Sequence, residues 1–339
     1  MTVRDPRLTR RRAAVVLVGL AGLAVASLIG GALVGSVPVD LARAFDFAAP
    51  DNPDHVILFK SRLPRVLLGA VVGGGLAASG AALQALLRNP LASPDIIGIS
   101  GGASVGAILV LALGIPGPAW LLVPGAAFLA SIATLALIVR LSTLRGRLNP
   151  YSLLLVGVIA NTIAAALIML VTSLVDSLRA QGVMVWLSGS LAQRPYSLVA
   201  VVALLSIGPA IVLWTQARSL NLLALGEETA TQLGADVTRV RRTSFLASAL
   251  LVGAAVSVSG VIGFVGLIVP HCLRLAVGSD QRLLIPASFL GGGVFLVWCD
   301  AAARTLVAPT EIPVGVLTAL CGGPFFIFLL RRQEEGRGL

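Results

Sequence analysis

Side chains able to do chemistry are few in this chain and stand far apart. His271, one of two histidines, follows Pro270 in the run GFVGLIVPHCLRLAVGSDQR (263–282). A histidine inside a membrane is a proton-relay candidate. No carboxylate stands in the neighbouring turns, so a histidine hydrogen-bonded at the cytoplasmic end of its helix is the preferred reading. Asp300 and Arg304 are four residues apart, a spacing that lets an ion pair form within one helix and sit in apolar surroundings at low cost. Cys272, Cys299 and Cys321 lie among apolar residues without paired spacing, which reads as buried free thiols with no disulfide and no metal site. No phosphate-binding G-x-x-x-x-G-K-[ST] occurs, and Lys60 is the only lysine; HExxH, CxxC and any nucleophile–base constellation are also missing. The chain is therefore expected to hold no nucleotide, metal or other cofactor itself and to catalyse nothing.

The elements that carry these residues are overwhelmingly apolar. Mean hydropathy is +0.97, with 57% hydrophobic and 12% charged residues, outside the range of soluble globular chains. A net charge of +10 would suggest nucleic acid in a soluble domain. Here arginines at helix ends facing anionic lipid explain it, and no nucleic-acid partner is expected. Hydropathy places ten spans near 13–35, 63–87, 97–114, 119–139, 150–174, 196–215, 242–259, 263–277, 284–303 and 314–330. The expected fold class is an all-α integral membrane protein, about ten transmembrane helices in one bundle, with 1–339 a single transmembrane domain. Arg4 to Arg12 precede a hydrophobic run long enough to span, so the first helix is expected to stay in the membrane rather than be cleaved. With the N-terminus inside, eighteen cations face the cytoplasm and seven (Arg43, Lys60, Arg62, Arg65, Arg179, Arg194 and Arg304) face outward. That ratio follows the positive-inside bias and puts both termini in the cytoplasm.

Within that frame, Gly69, Gly73 and Ala77 recur at four-residue intervals, as do Gly98, Gly102 and Gly106, marking helices whose backbones approach closely. The longest outer loop, 36–62, carries Asp40, Asp46, Asp51, Asp54 and His55. A second outer segment, 175–195, holds Met184, Trp186 and Leu187 and reads as a short interfacial helix. The segment RNPLASPDIIGISGGA (88–103) fits an ordinary cytoplasmic turn and a functional one equally well. One stretch stands apart: ARSLNLLALGEETATQLGADVTRVRR (217–242), a long charged island, with Gly226 and Gly234 placed to end two short helical pieces. A chain otherwise built for lipid that keeps such a cytoplasmic loop uses it to touch something.

The succession RLPR (62–65), SGAALQALLRNPLASPDIIGISGGA (79–103), GEETATQLG (226–234), GFVGLIVPH (263–271) and PTEIPVGVLTALCGGPFF (309–326) resembles the FecCD/BtuC family, the permeases of type II ABC importers for ferric siderophores, haem and vitamin B12. The resemblance implies a second permease subunit, identical or paralogous, two cytoplasmic ATPases carrying ATP and Mg, and an extracytoplasmic binding protein, in a bacterial cytoplasmic membrane. It implies that 217–242 is the coupling loop seated on the ATPase, through Gly226, Glu227, Glu228, Ala230, Leu233 and Gly234. It implies binding-protein docking through Arg62, Arg65 and Arg304, and a cytoplasmic gate at Asn149, Pro150 and Tyr151, where some relatives carry small hydroxyl residues. SPDIIG (93–98) and VWLSGSL (185–191) look more like siderophore permeases than those for haem or cobalamin. The rival from another class, an ion-gradient-driven transporter, would need carboxylates near the midplane, and only Asp176 and Asp300 are candidates.

Overall fold

The computed structural model describes residues 9–335, apart from 50, 145, 146 and 193. Among the cations counted above, Arg4, Arg7, Arg145 and Arg337 lie outside the described residues. In chain order, α1 (Arg10–Leu33) leads through the short turns α2 (Leu41–Ala44) and α3 (Pro53–His55) and a π-helical stretch (Val56–Arg62) into α4 (Leu63–Leu86). A 3-10 turn (Pro94–Ile97) precedes α5 (Ile99–Leu113), followed by α6 (Ala119–Ser142) and α7 (Pro150–Leu174). Between α6 and α7 the chain reverses through a two-residue antiparallel pairing, Thr143 with Leu148 and Leu144 with Arg147. Then come α8 (Ser177–Leu187), α9 (Tyr196–Thr215), α10 (Ala217–Ala224), α11 (Glu227–Gln232), α12 (Val237–Ser259), α13 (Val265–Val277), α14 (Gln281–Thr305) and α15 (Val314–Glu335).

The molecule is a helical membrane bundle, and each of the ten expected spans coincides with an apolar helix. Seven are long and apolar enough to cross a bilayer among the described residues; α5, α13 and the described part of α15 are shorter. The bundle is built around α4, which is 83% buried along its apolar window, with α12 at 78%; α1 and α7 are 6% and 11% buried and face lipid or another chain. Lipid removes most of the hydrophobic gain from helix association, so close backbone approach must supply the packing. The sequence provides it: a Cβ on Gly73 of α4 would strike the Gly292 carbonyl of α14, and one on Gly292 would strike Gly73. Gly80 meets Gly266 of α13 in the same way, and Gly102 and Gly106 meet Thr134, Ala126 and Ala130 of α6.

At 15 and 13 residues, α5 and α13 reach only about 20 Å at 1.5 Å per residue, short of a hydrocarbon core of about 30 Å. Both begin inside the bundle. Gly266, in the first turn of α13, lies against Pro94 and the Leu76 carbonyl in mid-α4, while Asn161 of α7 donates to the Asp95 carbonyl at 2.8 Å and accepts from Gly101 N at 3.2 Å. The segment before α5 is thus no plain cytoplasmic turn: it folds back among helices, where protein satisfies its irregular backbone. Two smaller departures also appear. Trp186 turns inward while Met184 is exposed, and only Cys299 of the three free thiols is buried, because an apolar neighbourhood in a membrane chain includes the lipid-facing surface.

Candidate functional site

The island 217–242 folds as a bracket across one end of the bundle. Leu220 and Leu223 bury the apolar face of α10, while Leu225, two residues on, is 66% exposed. Gly226 (φ +121°) and Gly234 (φ +84°) take backbone conformations that a Cβ would strain, so α11 is turned sharply at both ends. Asp236 caps α12 by accepting from Arg239 N at 3.0 Å. Ala230, expected to meet an ATPase, is fully buried and the Ala235 amide donates to its carbonyl at 2.9 Å; the outward face includes Leu225, Glu227, Glu228, Thr231 and Leu233. Leu225 has no distinguishing mark in the sequence, because only the folded turn shows which leucines of LNLLAL are spent on packing.

Two polar joints hold the bracket to the bundle. At the first, Asn221 donates to Asp280 at 2.8 Å and accepts from Gln281 N at 2.8 Å, clasping the start of α14. Burial opposes ionisation of Asp280, but hydrogen bonds from Arg282 and Asn221 outweigh it and hold the carboxyl below its usual range. At the second joint, Arg241 of α12 pairs with Glu227 of α11 and donates from Nη1 to the Leu148 carbonyl at 3.2 Å. Asn149, next in the chain, accepts from Tyr151 N and Ser152 N at 2.9 and 3.2 Å with Pro150 behind it, an Asn-Pro helix start legible in sequence. Tyr151 is 83% exposed. A cleft of about 360 Å³ brings Asn149, Pro150 and Tyr151 together with Glu227, Arg241 and Arg88. The expected gate turn and the expected coupling loop thus line one space.

At the opposite end, Arg62, Arg65 and Arg304 are buried, at 6%, 8% and 4% exposure, rather than free on a rim as the docking expectation pictured. Arg62 donates to the carbonyls of Leu33 (3.0 Å) and Val37, and Arg304 to those of Gly31 (2.9 Å) and Val34 (3.1 Å). Both guanidinium groups therefore close the C-terminal end of α1, whose last carbonyls have no helical partners. The Asp300–Arg304 pair forms within α14 as expected, at 3.0 Å, and Arg65 of α4 adds a forked contact to Asp300 at 2.9 Å and a pair with Glu311 at 2.8 Å. Arg179 and Arg194 do the same work elsewhere, donating to Ala112 at the end of α5 and to Val258 at the end of α12. Lys60 meets Asp51 at 3.5 Å and Arg43 meets Asp40 at 3.8 Å. All seven cations that run against the positive-inside bias thus have partners within the chain. Helix C-termini, which carry negative partial charge, account for four of them.

Asp95 is an acid that the sequence does not announce. Its carboxyl is half-buried beside the Ser93 hydroxyl (3.1 Å), and burial pushes its pKa up to about 6, the Ser93 hydrogen bond offsetting part of the rise. Its position between two prolines and a glycine disguises it as a turn residue. His271 makes an edge contact with Phe325 at 6.5 Å; no hydrogen bond to its ring is found among the described residues. No cluster of three or more potential metal ligands exists among the described residues.

The profile of the FecCD transport family matches residues 20–332. The hemin transport system permease protein HmuU of Yersinia pestis is 43% identical, covering 93% of this chain and 95% of its own length. The cobalamin import system permease protein BtuC of Halobacterium salinarum is 42% identical, covering 92% and 83%. A Bacillus subtilis protein named as a siderophore transport system permease, YfhA, is 38% identical over 96% of both chains. Among solved structures, an inward-facing conformation of a metal-chelate type ABC transporter superposes with a TM-score of 0.81 at 31% identity, over 94% of this chain and 99% of that one.

Proposed function

The chain belongs to the FecCD transport family and is a multi-span permease of an ABC importer; on that premise we propose that it carries an iron–siderophore complex across the bacterial cytoplasmic membrane, driven by ATP and Mg on separate ATPase subunits. The observation that carries the reading is the bracket 217–242: one structured, charged segment of an apolar chain, pinned to the starts of both α14 and α7. Its exposed residues Leu225, Glu227, Glu228, Leu233 and Gly234 are the surface offered to an ATPase, with Gly226 and Ala230 shaping that surface from behind. The bracket end and both termini lie in the cytoplasm, as the arginine distribution supports.

The transport unit pairs this chain with a second permease, identical or paralogous, and the cargo path runs between them. Nucleotide closes the paired ATPases, the bracket shifts, and the Asn149–Tyr151 turn opens or shuts the cytoplasmic mouth. To invert the two populations, nucleotide must favour one arrangement by about 5 kcal/mol. An extracytoplasmic binding protein delivers cargo at the opposite end. There Arg62, Arg65 and Arg304 act by fixing the ends of α1, α4 and α14 beneath it, since their own donors are occupied within the chain. SPDIIG and VWLSGSL support a siderophore; the 43% identity to a hemin permease favours haem as the second reading. Reconstitution with its ATPase and binding protein, offering ferric siderophore, hemin and cyanocobalamin in turn, tests both. ATP-dependent uptake of the first alone is expected. Uptake of hemin alone transfers the assignment, and uptake of none under ATP hydrolysis overturns it.

A further inference from the structure

Arg241, at the start of α12, hydrogen-bonds both Glu227 of α11 and the Leu148 carbonyl in the turn before α7. Its residue is 8% exposed, and its Nε is buried without a hydrogen-bond partner among the described residues. Among the described residues the charge is therefore held in the interior by two acceptors: the Glu227 carboxylate on α11 and the Leu148 carbonyl on the turn. Removing one partner of a buried charge costs far more than the pair itself contributes. If α11 were displaced alone, Arg241 would be left with a single carbonyl, so the arrangement resists separation of Glu227 from Leu148. The turn in its grip is stiff. The Asn149 amide donates to Ser142 O at 3.1 Å, Leu148 pairs with Thr143, and the Asn149 side chain caps α7. A pull at Leu148 therefore carries Pro150 and Tyr151 with it, and the cleft lined by Leu86, Leu87 and Leu154 gives Tyr151 somewhere to go.

We propose that Arg241 is a positioning residue, a latch through which movement of the Glu227 end of α11 is passed to the Leu148–Tyr151 turn. The inference rests on the importer reading for its consequence in transport, though the mechanical link itself does not need it. Glu227 is half-exposed at the mouth of the joint, where a partner seated on α11 reaches it; Arg241 lies behind, where only the chain itself does.

Two measurements on full-length chain test this. Amide hydrogen exchange on the purified chain in detergent, without any ATPase, reads the link directly. In Arg241→Met and Glu227→Gln, the Tyr151 and Ser152 amides should exchange about tenfold faster or more, the loss expected for one charge-assisted hydrogen bond. Amides in mid-α4 should be unchanged. Unchanged exchange at Tyr151 and Ser152 overturns the latch, whatever the chain transports. In the reconstituted complex, ATP hydrolysed per cargo molecule should rise about fivefold or more in both variants while the ATPase still co-purifies. Arg241→Lys, which keeps a charged donor able to serve Glu227 and the Leu148 carbonyl, should bring the ratio back to within about twofold of wild type. A merely structural role would lower the yield of complex and leave that ratio alone, and a wild-type ratio in both variants overturns the proposal. A wild-type chain that recruits no ATPase would count against the importer reading, while the exchange measurement would still decide the latch.

Discussion

Single ionised groups in this protein act chiefly by closing helix ends or by being buried against a partner. Asp300 faces two guanidinium groups at 2.9 and 3.0 Å and is 1% exposed. Asp300→Asn would leave Arg65 and Arg304 buried with too little counter-charge, and destabilisation of about 3–5 kcal/mol is expected, read as lost thermal stability in detergent. Asp95 has the opposite sign. Its folded pKa, about 6, lies above the ordinary value near 4, so the folded state holds the proton more tightly than the unfolded one. Its stabilising contribution is present at pH 4 and is lost as pH rises through 6, to a total of about 3 kcal/mol. Asp95→Asn should flatten that part of the thermal stability profile between about pH 4 and 6; an unaltered slope would show that another group sets it.

Among the elements, glycine decides which helices can meet. Gly73 and Gly292 lie so close that a side chain on either must displace the other's backbone, whereas nothing stands within 4 Å of a Cβ placed on Gly19 or Gly22 of α1. Gly73→Leu should therefore abolish folded protein, measured as monodisperse material after extraction, while Gly19→Ala and Gly22→Ala should leave yield and melting temperature within experimental error. Gly226 and Gly234 are a separate case, needed for conformation rather than space: Gly234 also has nothing within 4 Å but holds φ at +84°. Gly226→Val and Gly234→Val should cost about 1–2 kcal/mol each, confined to the bracket, and should uncouple ATP hydrolysis from uptake before they unfold the bundle. Coupled uptake at wild-type levels in the double variant would remove the bracket from the drive.

For the whole molecule, the testable quantity is which end faces which compartment. With the two exposed native thiols, Cys272 and Cys321, replaced by serine, a cysteine introduced at Thr231 on the bracket should react with a membrane-impermeant maleimide only in inverted vesicles. One introduced at Asp46, in the loop before α4, should react only from the other face. The reverse pattern would place the bracket outside the cell, beyond the reach of any cytoplasmic ATPase, and overturn the proposed drive. The surface left bare by α1 and α7 is the area available to lipid or to another chain. Charge reversal at Arg62, Arg65 and Arg304 together should weaken binding-protein docking through loosening of α1 rather than through lost contact pairs. The loss should consequently be insensitive to salt, unlike a steered encounter between exposed charges.

Apolar runs of near-constant length fix the number and places of the spans, because a bilayer tolerates only helices or closed barrels and the ten runs carry helical residues throughout. The small-residue stripes likewise announce close helix contacts, and the charged island 217–242 announces a structure unlike the rest. What the amino-acid order could not reveal is which surface each side chain meets. Arg62, Arg65 and Arg304 look like free outer cations until α1 ends beside them with its carbonyls unpaired. Asp95 looks like a turn residue until the chain folds back between α4 and α7, and Arg241 looks like one more cytoplasmic charge until Leu148, some ninety residues away, presents its carbonyl. Such partners are far apart in the chain and meet only through packing, so local pattern holds no trace of them. Composition and periodicity are local and decide the medium and the elements; the pairing of buried charges is non-local, and tertiary structure alone decides it.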